Sequence, residues 1–125
     1  MKRLLETVLI VEDHDDSRLL LEDVLSQAGF RTLPAASGAE ALRILAEEVP
    51  DIIVLDLMLP WVNGVEVLAT IRGMPALVKV PVLVVTATQT TAFDLRAYRP
   101  LGLMRKPLEL GKIVPTVQRM LVHAD

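Results

Sequence analysis

Side chains able to do chemistry follow four short apolar runs of the sequence. Glu12 and Asp13 follow the first run, Asp56 ends the second, and Thr86 and Lys106 end two later ones. If these runs are parallel strands, their carboxyl ends meet at one edge of a sheet, where ligands bind in open α/β folds. Three carboxylates at that edge repel one another, and a hard divalent cation such as Mg²⁺, which prefers oxygen ligands, relieves the repulsion. The pattern therefore indicates a metal-assisted site.

The residue types at this edge also indicate a reaction. A carboxylate that attacks phosphorus gives an aspartyl phosphate, and Asp56 is the candidate nucleophile. The remaining work is charge stabilisation on the phosphoryl oxygens. Lys106 can supply a mobile cation for these oxygens, and Thr86 can supply a hydroxyl donor.

Length and composition exclude several other classes of protein. The 125 residues, 52% of them hydrophobic, suit one domain with a single buried core. A net charge of −3 argues against non-specific binding to nucleic acid, and an aromatic content of 3% argues against a base-stacking platform. The chain has no cysteine, which excludes disulfides, Cys-type zinc sites and thiol nucleophiles. We predict a single domain over residues 1–125, with 1–6 and 123–125 as terminal extensions.

No part of the sequence has the length of apolar chain that a membrane span needs. The apolar stretches are interrupted by Asp56 and by polar residues after Val85, and fall short of the ~18–20 apolar residues required. No targeting segment is visible. We therefore expect a cytoplasmic protein that does not insert into membranes.

Apolar runs without alternation are typical of strands buried on both faces of a parallel sheet. Pro34 lies inside the predicted strand of residues 30–35 and lacks a backbone N–H, which places that strand at a sheet edge. Because helical stretches alternate with the strands, we predict a single-domain α/β fold: a doubly wound, five-stranded parallel sheet of order 2-1-3-4-5 with helices on both faces. The predicted strands cover residues 7–11, 30–35, 51–55, 80–85 and 103–105.

Capping residues mark the first two helices. Gly29 is placed to end the first helix, and Ser37 with Glu40 forms a capping-box pattern that opens the second. Asp15 and Asp16 are expected to open the first helix as cap and dipole partners rather than to bind metal.

The later helices have weaker patterns. We predict a third helix over residues 65–72, a short fourth helix within 88–98, and a last helix that reaches about residue 122. Pro115 is expected in the first turn of the last helix because proline disrupts a helix interior.

The sequence resembles the response-regulator receiver domains of two-component signalling over essentially its whole length. Each matching segment is weak alone, but all of them occur in order and near the family's usual spacing. The resemblance rests on Val8–Asp13, Pro50–Pro60, Asn63-Gly64, Pro81–Ala87 and Lys106-Pro107.

The resemblance implies a set of metal ligands. Asp13 matches the direct ligand of Mg²⁺, and Glu12 matches the acidic partner that reaches the metal through water. Asp56 and the backbone carbonyl of Met58 match the remaining protein ligands. Mn²⁺ could substitute for Mg²⁺.

The resemblance also implies the residues that take part in phosphoryl transfer. Asp56 matches the phosphoacceptor, Thr86 the switch hydroxyl, and Lys106 the lysine that pairs with the phosphate. The Lys106–Pro107 bond matches one that is typically cis in the family.

From these matches follows an expected function. A histidine kinase or histidine phosphotransfer protein would donate a phosphoryl group to Asp56 with Mg²⁺, and the modified site would switch a protein-interaction face for a downstream protein or effector domain. The domain would catalyse only its own phosphorylation and dephosphorylation, and is therefore not a turnover enzyme. No direct contact with nucleic acid is expected, and the chain would be a monomer or a weak homodimer.

Two departures from the family pattern leave other functions open. Leu103 stands where the family usually has an aromatic residue, and Thr86 and Lys106 are twenty positions apart, about two fewer than is usual. These changes motivate a second hypothesis, a receiver-like interaction module that works without phosphorylation. A third hypothesis, a phosphatase with an aspartyl-phosphate intermediate, is weaker because Met58 stands where such enzymes commonly place a second Asp.

Overall fold

The structure, a computed structural model, describes residues 5–59, 63–87, 91 and 94–122. Its centre is one parallel sheet in which every neighbouring pair of strands runs in the same direction. The strand order is β2-β1-β3-β4-β5, which confirms the predicted fold class. The strands are β1 Thr7–Val11, β2 Arg31–Ala35, β3 Ile52–Asp56, β4 Val82–Thr86 and β5 Leu101–Arg105.

Four α-helices are found in the described part of the chain, together with two short 3₁₀ turns. The predicted fourth helix within 88–98 is partly a 3₁₀ turn at Arg96–Tyr98, and residues 88–90 and 92–93 lie outside the described chain. The α-helices are α1 Asp15–Gln27, α2 Gly38–Leu45, α3 Gly64–Arg72 and α4 Leu110–Val122, and the other 3₁₀ turn is Pro75–Leu77.

Apolar side chains cover the sheet on both faces. One cluster packs the strands against α2 and α3, and the other packs them against α1 and α4. Strands β1, β3 and β4 are buried along their whole length, as their apolar runs predict. Pro34 lies in the edge strand β2, also as predicted.

Short local contacts fix the helices that begin beside the sheet's carboxyl edge. The Ser37 side chain accepts a hydrogen bond from the Glu40 N–H and caps α2. The Asn63 side chain caps α3 by accepting from the Val65 N–H at 2.8 Å. Gly64 follows, and a Cβ there would lie 2.4 Å from the Leu57 Cα, so only glycine lets α3 start this close to the end of β3.

Two predictions about the chain after β4 were wrong. Strand β5 begins at Leu101, two residues earlier than predicted, because Gly102 weakens the strand pattern in the sequence. In the fold this glycine makes room for α4, since a Cβ there would lie 2.8 Å from the Met120 Sδ. Pro115 lies inside α4 rather than in its first turn. Ile113 and Val117 are fully buried on either side of Pro115, so packing keeps the helix continuous through it.

The start of α1 also differs from the prediction. The residue that caps this helix is His14, whose Nδ1 accepts from the Ser17 N–H at 3.4 Å. Asp15 and Asp16 lie in the first turn, where their charges complement the helix dipole. The predicted dipole role is therefore confirmed, and the predicted cap is wrong.

Candidate functional site

The acidic residues predicted to share an edge do converge there. Glu12 directly follows β1, and its N–H still donates to the Ala35 carbonyl of β2 at 3.0 Å. Asp56 is the last residue of β3, which pairs with β1. Carboxylate oxygens of Glu12, Asp13 and Asp56 lie within 4.8 Å of one another.

Both oxygens of the Asp56 carboxylate have defined partners. Oδ1 accepts a hydrogen bond from the Met58 N–H at 2.8 Å, and Oδ2 accepts one from the Lys106 Nζ at 2.8 Å. The Asp56 side chain is only 3% exposed. These contacts hold the carboxylate in one orientation at the floor of the site.

Lys106 joins two of the three carboxylates. Its Nζ also donates to the Glu12 Oε1 at 3.3 Å. Its backbone N–H donates to the Thr86 carbonyl at 3.0 Å, which fixes the end of β5 beside the end of β4. The Lys106–Pro107 peptide bond is cis, as predicted.

Burial and charge shift two groups of the site. Burial raises the pKa of Glu12 above its ordinary value and the charge of Asp56 acts in the same direction, against a smaller lowering by the His14 N–H and Lys106. Burial lowers the pKa of Lys106, but the hydrogen bond to Asp56 and the charges of Asp56 and Glu12 outweigh it, so the pKa lies above its ordinary value. Lys106 is therefore a cation held among crowded carboxylates.

Thr86 and Met58 are also at this edge. Thr86 is fully buried at the end of β4, on the strand between those that carry Asp56 and Lys106. Met58 follows Asp56 by two residues, with its N–H bonded to that carboxylate and its side chain exposed. The predicted roles of the Thr86 hydroxyl and the Met58 carbonyl remain predictions.

The donor set suits a hard divalent cation. The clustered groups are carboxylate oxygens, the ligand type that Mg²⁺ and Mn²⁺ favour, and the neighbouring His14 imidazole instead caps α1. A cavity of about 280 Å³ adjoins the cluster between α1 and the start of α4. Its lining includes Glu12, Leu20, Lys106 and Pro107.

One contact of the site was missed by sequence reasoning. The guanidinium of Arg18 in α1 reaches back to the carbonyl of Glu12 at 2.9 Å. Nothing in the local pattern marks this arginine, because an exposed helical Arg and one that turns back onto a loop look the same in sequence.

Known proteins are similar to this chain over almost its whole length. The family model described as the response regulator receiver domain matches residues 8–118. Sporulation initiation phosphotransferase F of Bacillus subtilis is 28% identical over 116 residues, covering 93% of this chain and 94% of the relative. The polar-differentiation response regulator DivK of Brucella ovis is 32% identical over 122 residues, covering 95% of this chain and 98% of the relative. The chemotaxis response regulator CheY4 of Vibrio cholerae has a structure similar to this one, with a TM-score of 0.86, 26% identity and coverage of 93% and 98%.

The chain belongs to the response regulator receiver domain family, and it is a receiver domain of two-component signalling. Receiver domains are generally signalling modules rather than enzymes, and they bind Mg²⁺ through acidic residues such as those clustered here. None of the helices in the described part of the chain has the length and apolar character of a membrane span.

Proposed function

We propose that Asp56 accepts a phosphoryl group in the presence of Mg²⁺, and that this modification switches a protein-interaction face. The observation that carries the proposal is the buried Asp56 carboxylate, which lies within 4.8 Å of two further carboxylates and 2.8 Å from a lysine ammonium. Three carboxylates placed together at the edge of a sheet repel one another, so this arrangement does not serve the stability of the fold. The arrangement suits a site that binds Mg²⁺ and is then modified by a phosphoryl group.

The transfer forms one bond and breaks one. A carboxylate oxygen of Asp56 attacks the phosphorus of the donor, and the bond from phosphorus to the donor's leaving atom breaks. With a phosphohistidine donor the imidazole nitrogen leaves with the electron pair, and with an acyl phosphate the carboxylate leaves. Bound Mg²⁺ would neutralise carboxylate charge and contact the phosphoryl oxygens.

Each neighbouring residue has a role in this proposal. Asp13, Asp56 and the Met58 carbonyl would hold Mg²⁺ directly, and Glu12 would reach it through water. Lys106 moves from its partners Asp56 and Glu12 to a phosphoryl oxygen of the modified side chain.

The proposed output begins at Thr86. This residue is buried at the end of β4, so a shift of its hydroxyl toward the phosphoryl group changes the packing at the start of the following connection. Strand β5 pairs with β4, with Thr86 opposite Arg105 and the partly exposed Leu103 opposite Val84, and we place the interaction face on β5 and α4. A downstream protein or effector domain would read this face.

The proposed donor is a histidine kinase or a histidine phosphotransfer protein. Two leucines of α1, Leu19 and Leu20, are 59% and 50% exposed, and Leu20 lines the cavity that adjoins the acidic cluster. An apolar surface beside the reactive carboxylate suits a protein donor better than a small metabolite. The name of the Bacillus subtilis relative also describes a phosphotransferase.

The setting of the domain is part of the proposal. The receiver domain spans residues 1–125, with 1–6 and 123–125 as extensions, and works in the cytoplasm as a monomer or weak homodimer. It promotes only its own phosphorylation and dephosphorylation.

The experiment uses a small acyl phosphate donor. The protein is incubated with acetyl phosphate and Mg²⁺, and the intact mass is measured. We expect one labile phosphoryl adduct, which is absent in Asp56→Asn and after chelation of the metal. The matched control is Asp23→Asn, an exposed carboxylate on α1, which should be phosphorylated like the wild type.

The other hypotheses make different predictions for the same sample. A folded wild-type protein with no adduct would support the interaction module that works without phosphorylation. Steady turnover of a phosphate ester would support a phosphatase.

A further inference from the structure

Arg18 holds the turn that carries two of the three acidic residues. Its Nη1 donates to the Glu12 carbonyl at 2.9 Å and to the Asp13 carbonyl at 3.4 Å, and its Nη2 pairs with an Asp15 oxygen at 2.6 Å. The Arg18 side chain is only 16% exposed, whereas that of Asp15 is 81% exposed. The partly buried contacts are therefore those to the two carbonyls, and the ion pair with Asp15 lies at the surface.

Glu12 and Asp13 are consecutive in sequence, and their side chains can converge only if the backbone turns after β1. Successive side chains of an extended strand point to opposite faces, so Glu12 and Asp13 cannot converge on one point while the chain stays extended. The Glu12 N–H is still bonded to the sheet, and the chain must therefore turn immediately after it. In this turn the Glu12 Oε2 accepts from the His14 N–H at 3.1 Å, while Arg18 binds the carbonyls of Glu12 and Asp13.

Arg18 supplies its charge without occupying the ligand atoms. Lys106 donates directly to oxygens of Asp56 and Glu12, so its ammonium lies against the carboxylates that a metal ion would approach. The hydrogen bonds of Arg18 go instead to backbone carbonyls and to Asp15. A guanidinium is a rigid, planar donor that can fix two acceptors at once, which an ammonium on a flexible chain does less well.

We infer that Arg18 is a positioning residue for the divalent cation site, holding the backbone of residues 12–13 so that the carboxylates of Glu12 and Asp13 converge on Asp56. This inference rests on the proposed function, because it assumes that Mg²⁺ binds there. Residues outside the ligand set that orient a metal site typically contribute about 10–100-fold to metal affinity.

The test measures Mg²⁺ affinity by calorimetry, without any phosphoryl donor. Removing a positive charge near a cation site should strengthen Mg²⁺ binding if charge alone matters. Loss of the positioning contacts should weaken it. We expect Arg18→Met to bind Mg²⁺ about tenfold more weakly than the wild type. Arg18→Lys, which keeps the charge but not the planar donor, should also bind more weakly.

The matched control is Arg31→Met. Arg31 begins β2 at the opposite end of the sheet and pairs with Glu48, so its loss changes the net charge equally but leaves the turn intact. We expect its Mg²⁺ affinity to stay within about twofold of the wild type, because the site is beyond a Debye length in physiological salt. Asp15→Asn removes only the exposed ion pair of Arg18 and should also leave the affinity nearly unchanged.

Melting temperatures with and without Mg²⁺ separate positioning from stability. A merely structural Arg18 would lower both melting temperatures equally and leave the Mg²⁺ affinity unchanged, and that result would overturn the inference. An Mg²⁺ affinity of Arg18→Lys equal to that of the wild type would overturn the inference too, since a positive charge without the planar donor would then be enough to keep the affinity. Arg18→Lys also provides the test if Arg18→Met fails to fold. If the wild type itself binds no Mg²⁺, the proposed function and this inference both fall. If the wild type binds and the Arg18 variants match it, only the inference falls.

Discussion

Lys106 supplies the positive charge that lies against two carboxylates of the site. It donates to Asp56 and to Glu12, and both of these carboxylates are almost completely buried. In the unmodified protein its ammonium therefore compensates negative charge that would otherwise be buried without a counter-charge. A metal ion bound beside Asp56 would be repelled by this ammonium, so Lys106 stabilises the metal-free site and opposes the cation.

Replacement of Lys106 should therefore separate metal binding from phosphorylation. We expect Lys106→Met to bind Mg²⁺ about tenfold more tightly, the equivalent of ~1.4 kcal/mol, because the competing ammonium is lost. Its phosphorylation by acetyl phosphate should be slower, because no ammonium pairs with the phosphoryl group. Calorimetry and intact mass measure the two effects, with the exposed Lys112→Met as control. Weaker Mg²⁺ binding in Lys106→Met would contradict the competition described here.

Glu12 gives the metal site a dependence on pH. Burial raises the pKa of its carboxyl above the ordinary value of 4.5, so the proton returns to Glu12 at a higher pH than to an exposed glutamate. Mg²⁺ needs the ionised carboxylate, and its affinity should therefore fall on acidification before ordinary carboxylates titrate. Calorimetric Mg²⁺ titrations between about pH 7 and about pH 5 test this fall in affinity. The fall should be flatter in Glu12→Gln, and an unchanged slope in that variant would contradict the assignment to Glu12.

Among the helices, α3 is tied to the chain segment that precedes β5. The last residue of α3, Arg72, donates to the carbonyls of Leu77, Tyr98 and Pro100 at 2.7, 2.6 and 2.6 Å. The Pro100 carbonyl also accepts from the Val82 N–H at 3.1 Å, so this contact lies where β4 and β5 begin. The connection between β4 and β5 is thus fixed at the end of the sheet opposite the acidic cluster.

Loss of the Arg72 contacts should destabilise the fold. Three carbonyls would lose a charged donor in Arg72→Met, and we expect the free energy of unfolding to fall by about 2 kcal/mol. Urea denaturation followed by circular dichroism measures the change. Arg43→Met, which removes an exposed arginine of α2, is the control and should change stability by less than about 0.5 kcal/mol. Equal stability of the two variants would show that Arg72 does not anchor this segment.

Helix α4 contains a proline that packing tolerates. Pro115 cannot donate to the carbonyl of Gly111, and both residues are exposed, so water can satisfy that carbonyl. We expect Pro115→Ala to stabilise the protein by about 1 kcal/mol, because the restored helical hydrogen bond exceeds the entropy that proline removes from the unfolded chain. Thermal and urea unfolding measure the gain. Pro75→Ala, at the start of a 3₁₀ turn where no N–H is needed, should give no gain, and a loss of stability in Pro115→Ala would contradict this account.

At the scale of the whole molecule, the acidic site lies at one end of the sheet and the contacts of Arg72 lie at the other. Two apolar clusters hold the helices on the two faces, and the charged residues of the site collect at the carboxyl ends of the strands. A change of charge at this edge can therefore alter the short connections that leave it while the buried strands keep their places. This separation is what a switch of protein contacts requires.

The parts of this molecule that follow from local pattern could be predicted from the sequence. The strand order follows from Pro34 at an edge and from alternating strands and helices, and the convergence of Asp13 and Asp56 follows from that order. The position of Pro115 could not be predicted, because the burial of neighbouring side chains decides it. The contacts of Arg18 and Arg72 could not either, since they join residues whose proximity exists only after the chain has folded.

Asp56, and no other carboxylate of the cluster, is the proposed acceptor of the phosphoryl group. Borohydride reduces an acyl phosphate to the alcohol, so treatment of the phosphorylated protein converts a modified aspartate to homoserine. Peptide mass mapping after acetyl phosphate and Mg²⁺ should locate homoserine at position 56 alone. Homoserine at Asp13, the corresponding alcohol at Glu12, or no reduced residue in a folded sample that binds Mg²⁺ would contradict the account.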